Sequence, residues 1–334
     1  MLSMPASSTA SAPVAGAPAP AAVARKSPVP VRAPRAVEPA AGPALDSDRA
    51  PFDLSVADEP IPYRVMAVFA LPDEVVPLDV WSADTSFEVG AEIESARKLG
   101  GNRWAWTAPP QPGVYPLHVR REAGGEITVN VFVMIPYDRL KRGSLDGYRI
   151  GAYPVPPPDA LADFDPPRGF VEVTSQDDTV LVSPHFHLRQ FLCKERPGYP
   201  QYLVLQPALL LKLERLLDAV RRNGIRASTF QVMSGYRTPA YNRGIGNLTT
   251  FTRHQYGDAA DIFVDENPAD GRMDDLNHDG RIDRRDARLL RTWAEQLDRT
   301  PQAGTRIGGL SDYGATATHG PFVHVDARGY AARW

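Results

Sequence analysis

Cysteine is almost missing from this chain: Cys193 is the single one in 334 residues. That excludes an internal disulfide and any zinc cluster built on thiolates. Long apolar runs are missing too. No stretch approaches the roughly 18 residues that a spanning helix requires, so no membrane-spanning segment is expected. Positive charge is not in excess, with 37 Lys and Arg against 40 Asp and Glu and a formal net charge of −3. Nucleic-acid binding therefore has no electrostatic footing. A well-formed secretory signal is also lacking, because Arg25 and Lys26 follow the small-residue stretch 1–24 instead of preceding it.

Proline, by contrast, is abundant. The 33 prolines are about twice the usual share, and residues 1–50 hold nine of them together with 15 alanines. Such a segment has too little to bury to recover the entropy of ordering, and 1–51 is expected to be a disordered leader or spacer. The rest of the chain brings hydrophobic residues to 43% overall, enough for full-sized cores.

From Phe52 onward short strand-like segments appear: an apolar run with Val65, Val68 and Phe69, then alternating Leu78 and Val80, Trp104 and Trp106, Leu117 and Val119, and Ile127 to Val133 at period two, with Pro and Gly turns between them. The Pro112-Gly113-Val114-Tyr115 turn resembles those of immunoglobulin-like modules of extracytoplasmic proteins. The expectation for 52–137 is an all-β immunoglobulin-like sandwich that docks to an envelope protein partner. Residues 138–180 are Pro-rich and read as an extended linker. Beyond them, Leu209, Leu210, Leu213, Leu216, Leu217 and Val220 follow helical spacing, with Asn223-Gly224 as the stop signal. Ala227–Ser234 alternates as a strand.

The chemistry begins at the end of that strand. Ser234-Gly235-Tyr236-Arg237 is followed by His254-Gln255-Tyr256-Gly257-Asp258-Ala259-Ala260-Asp261, and later by Phe322-Val323-His324-Val325-Asp326. In this order the three pieces resemble the zinc D-alanyl-D-alanine carboxypeptidase and endopeptidase family, whose pattern is Ser-Gly-Tyr-Arg, His-x-x-Gly-x-Ala-x-Asp and a final His-bearing strand. The resemblance covers about 182–334. It implies that 181–334 is an α+β domain with the Hedgehog/DD-peptidase type of fold, an antiparallel sheet with helices, following the sandwich. It also implies zinc held by His254, Asp261 and His324. Two imidazoles and one carboxylate suit a catalytic zinc, which keeps a further position open.

Arg237 is the group the resemblance puts on a substrate carboxylate or developing oxyanion, with Tyr236 and Thr252 beside it as substrate contacts. Thr252 replaces the Ser usual two residues before the first ligand. The family's acid three residues before the last histidine is here Pro321, which cannot accept a proton. The base role then falls to Asp326, two residues along the strand from His324 and on the same face, able to reach the reacting water or to orient the histidine. His319 is the reserve.

An acidic insertion, 266–298, separates the last two motifs. Within it Asp275-Leu276-Asn277-His278-Asp279-Gly280-Arg281-Ile282-Asp283-Arg284-Arg285-Asp286 has the spacing of a calcium loop, with Gly at the sixth position. It resembles the dockerin-type EF-hand variant, and Asp275, Asn277, Asp279, Arg281 and Asp286 are read as its calcium set. Its role is to brace the following helix.

These readings converge on a zinc metallopeptidase cutting amide bonds in peptidoglycan stem peptides or cross-links, in the bacterial envelope, periplasmic or secreted. The alternative is a non-catalytic, zinc-containing module that binds cell wall or protein.

Overall fold

The computed structural model describes residues 48–82, 86–156, 164–195 and 198–334. Most of the expected leader, and 157–163 within the expected linker, lie outside the described residues. Those described belong to one unit with a continuous apolar core that runs from Phe52 to Val325.

Strands form at each of the expected N-terminal segments, and Asp53–Val56, Glu59–Pro60, Phe87–Ala91 and Arg97–Gly100 form besides. Val75–Trp81 alternates buried and exposed along its length, as a strand with one covered face must. It joins a five-stranded sheet in the order Glu59–Pro60, Asp53–Val56, Val75–Trp81, Arg103–Thr107, Arg97–Gly100. A four-stranded sheet has the order Val65–Ala70, Glu126–Val133, Gly113–Arg121, Phe87–Ala91.

The expected fold class, an immunoglobulin-like sandwich followed by a separate α+β domain, is not what forms. The described residues make six sheets of two to five strands with three α-helices, a mixed arrangement rich in strand. Val65–Ala70 pairs in parallel with Glu126–Val133. Asn130 Nδ2 donates to Leu181 O at 2.8 Å, tying that sheet to a strand beyond residue 180. Residues 138–180 supply a short hairpin, Ser144–Leu145 with Tyr148–Arg149, and the strand Gly169–Val173, which lies between Ile135–Pro136 and Gln201–Leu203. Alternation identifies strands but carries no information about their partners, and here the partners come from both sides of the expected boundary.

Three helices follow: α1 (Pro207–Arg222), α2 (Pro239–Gly244) and α3 (Arg284–Arg299). The leucine spacing forms α1, with Pro207 in its first turn, and Gly224 at φ +84° takes the left-handed conformation just past its end. In α3, Asp283 caps the N-terminus and Asp286 reaches back to the Asp283 N–H, a reciprocal capping box. Only Gln231–Ser234 of the expected 227–234 strand is paired in a sheet. The earlier residues are diverted, with the Ala227 carbonyl taking the Arg221 Nε proton and the Thr229 hydroxyl donating to His185 O.

The sheet that matters for function has the order Gln231–Ser234, Ala259–Phe263, Phe322–Asp326, Gly309–Tyr313, Ala332–Arg333, antiparallel except for the last pair. Its register sets Ser234 opposite Asp261, Asp261 opposite His324, and His324 opposite Ser311.

Candidate metal centre

One row across this sheet therefore brings together residues far apart in sequence. Asp261 and His324 are direct cross-strand neighbours, whose side chains share a face. His254 reaches them from a 3₁₀ turn, Arg253–Tyr256, that leads into the Asp261 strand. Gly257 ends that turn at φ +72°, and a Cβ there would stand 2.3 Å from Val204 O. Glycine is required at this point because the turn lies against the Val204 backbone.

The side chains converge on Asp261 Oδ1. His254 Nε2 lies 3.3 Å from it and His324 Nδ1 2.9 Å. One ligand atom from each of the three residues falls within 4.8 Å of the others, and among the described residues this is the one such convergence of His, Cys, Asp or Glu. All three side chains are buried. Each outward atom has a partner. His254 Nδ1 donates to Gly235 O at 2.7 Å, which leaves Nε2 as the free lone pair. Asp261 Oδ2 accepts from Arg237 Nη2. His324 Nε2 faces Asp326 Oδ2 at 3.3 Å. Two imidazole nitrogens and one carboxylate oxygen, oriented from behind and directed at a common point, fit a divalent metal of the zinc kind.

The two histidines differ electrostatically. Burial pulls His254 below its ordinary value and favours the neutral imidazole a metal needs. Burial would raise Asp261, but the two histidines facing it, His254 and His324, hold it well below the carboxylate range. His324 resists its own burial through bonds to Asp261 and Asp326 and is pushed up to about 9. A proton and a metal ion compete for its Nδ1.

The three residues open on a cleft of about 520 Å³. Arg237 and Thr252 line it, as expected. The Arg237 guanidinium is only partly committed, with Nε donating to Ser234 Oγ at 2.7 Å and Nη2 to Asp261. Tyr236 does not reach the cleft. It is 2% exposed, and its hydroxyl pairs with that of Tyr153 at 2.9 Å. Tyr153, which sits in the Pro-rich stretch, passes the contact on to Gln255 O.

Asp326 is 0% exposed. Its carboxylate receives Arg328 Nε at 3.0 and 2.9 Å and the Gly309 N–H at 2.6 Å, and its carbonyl receives Lys212 Nζ at 2.8 Å. A Cβ on Gly309 would stand 2.4 Å from Asp326 Oδ2. These contacts surround the carboxylate and turn it toward the histidine, away from the cleft.

Sequence patterns gave no sign of the cleft's aromatic wall. Tyr313 and Phe322 stack at 4.6 Å, and the Trp334 ring lies 5.2 Å from His324, its Nε1 donating to Tyr313 at 2.7 Å. His319 stands edge-on to Phe322 at 5.0 Å.

The 275–286 loop closes on its own side chains. Asp275 accepts the Asp279 and Gly280 N–H groups, Asn277 accepts Asp279 N–H, and Asp279 accepts Arg281 N–H. His278 and Gly280 take positive φ, +58° and +81°. Asp286 accepts from Leu276 N, Asn277 N and Asp283 N, so it closes the loop and caps α3 at once.

No protein-family model matches the chain, and a search of curated proteins returns no significant relative. No helix among the described residues is long and apolar enough to cross a membrane.

Proposed function

We propose that this chain is a zinc-dependent peptidase of the bacterial envelope that hydrolyses amide bonds in peptidoglycan stem peptides or cross-links. The observation that carries the reading is the convergence of His254 Nε2, Asp261 Oδ1 and His324 Nδ1 beside an open cleft. The order of the three motifs supports it.

When bound, zinc supplies Lewis acidity toward an amide carbonyl and toward water. Arg237 fixes the outer oxygen of Asp261, and its remaining N–H donors serve a substrate carboxylate or carbonyl. Asp326 positions His324 and carries no proton in the reaction, because both its oxygens are engaged. With Asp326 so engaged, the base role passes to the reserve, His319, whose ring stands edge-on to that of Phe322. Calcium in the 275–286 loop braces α3.

One observation favours a second reading, a non-catalytic zinc-containing module that binds cell wall or protein: Asp261 is the single carboxylate lining the cleft among the described residues. Zinc-loaded chain incubated with muropeptides, with products resolved by mass, separates the two. Cleavage lost in His254→Ala establishes the enzyme. Retained binding without cleavage in the unaltered chain establishes the module.

A further inference from the structure

A second, smaller cavity of about 60 Å³ lies between α1 and the segment that follows α3. By volume it holds roughly what two water molecules fill. Its lining carries Arg49, Lys212, Arg215, Arg222 and Arg306 against Asp218 and Asp298, an excess of three positive charges. Asp218 is already taken by Arg49, and Asp298 by Lys212 at 2.7 Å and Arg333 at 3.2 Å.

Arg215 stands out. It is 8% exposed, yet its terminal nitrogens meet only neutral oxygens, Thr305 Oγ1 at 3.0 Å and Ala303 O at 3.4 Å. Its Nε is buried with no hydrogen-bond partner. A guanidinium held that deep without a bonded anion is costly, and burial pulls it below its ordinary value. Arginine's planar fork matches tetrahedral oxyanions, and the space suits one such group but not a nucleotide.

We propose that this cavity binds a phosphate group, free or as a monoester, with Arg215 as its buried anchor and Arg222 supplying charge at its mouth. The site is separate from the metal centre and does not depend on what that centre does. Lys212, which lines the cavity, also donates to Asp326 O, so the two places share one helix residue.

Calorimetric titration of the full chain with inorganic phosphate, and separately with methyl phosphate, tests this at matched ionic strength against sodium chloride. Saturable binding near one equivalent is expected, with phosphate raising the melting temperature where chloride does not. Saturation by inorganic phosphate alone marks a free-ion site, and by both ligands a monoester site. Arg222→Gln, an exposed position on the helix end, is expected to weaken binding about tenfold, the equivalent of losing roughly one charge-assisted hydrogen bond. Arg215→Gln is expected to abolish it with circular dichroism retained, and if that variant does not fold, Arg222→Gln decides. Absence of saturable heat, or undiminished binding in the folded variants, overturns the proposal.

Discussion

His324 lies between two carboxylates, with Nδ1 2.9 Å from Asp261 Oδ1 and Nε2 3.3 Å from Asp326 Oδ2. Asp261 is on the ligand side and Asp326 behind the ring, so the two acids have different tasks. Replacing the rear one, Asp326→Asn, is expected to weaken zinc binding about 10- to 100-fold, as losing an outer partner of a ligating histidine does. Turnover per bound zinc at saturating metal should stay near that of the unaltered chain. Competition titration with a zinc indicator and a muropeptide assay measure the two quantities. A variant with full zinc occupancy and no turnover would restore Asp326 as the base.

His254→Ala and Asp261→Ala each remove an inward donor. Elemental analysis is expected to find about one zinc per unaltered chain and far less in either variant, since two ligands hold the ion poorly. Chelation of the unaltered chain should lower its melting temperature, because an ion that binds only the folded state stabilises it by mass action.

A chelator selective for calcium tests the acidic loop independently. Melting temperature is expected to fall on calcium removal and to recover on its return. Asp275→Ala combined with Asp279→Ala should remove the response. If chelation that spares zinc leaves melting unchanged, the loop holds no ion and Asp286 serves the helix cap alone.

Gly257→Ala is expected to destabilise the fold by about 1 to 3 kcal/mol, the usual cost of forcing atoms into filled space. The new methyl group would meet the Val204 backbone at 2.3 Å. Denaturant unfolding measures this, and an undiminished midpoint would mean that the turn yields.

Asp312 provides a pH prediction away from the metal. Burial raises its carboxyl, but hydrogen bonds and charge from Arg284 and Arg291 outweigh that and hold it below the ordinary value. A depressed carboxylate contributes stability above its unfolded value, about 3.9, and loses it as pH falls through the folded one. Asp312→Asn should therefore cost stability at neutral pH and progressively less below about pH 4. Urea midpoints across that range measure the difference.

Much of the site was legible in sequence because its pieces are local. The eight residues His254–Asp261 carry two of the converging side chains and the glycine that ends their turn, whereas Asp286, read as a calcium-loop residue, proves also to close the capping box of α3 with Asp283. What could not be read depends on partners remote in sequence. Asp326 looks like an available base until Gly309, Arg328 and Lys212 close around it. Tyr236 looks like a substrate contact until Tyr153, 83 residues earlier, takes its hydroxyl. Five of the nine strands in the two N-terminal sheets were readable one by one. Their parallel pair and their bond to Leu181 were not, and so a separate immunoglobulin-like module was expected where a shared core forms.

The row Ser234, Asp261, His324, Ser311 exists only when four neighbouring strands are in step. A slip of one residue in the 322–326 strand would turn His324 to the opposite face, and a slip of two would carry it about 7 Å along the sheet. A nascent chain that has emerged only as far as Asp261 owns just two of the three donors. If zinc is held at this row, its tight uptake would be a late event in the life of the polypeptide, and the ion would act as a latch that closes once the last strand has found its place.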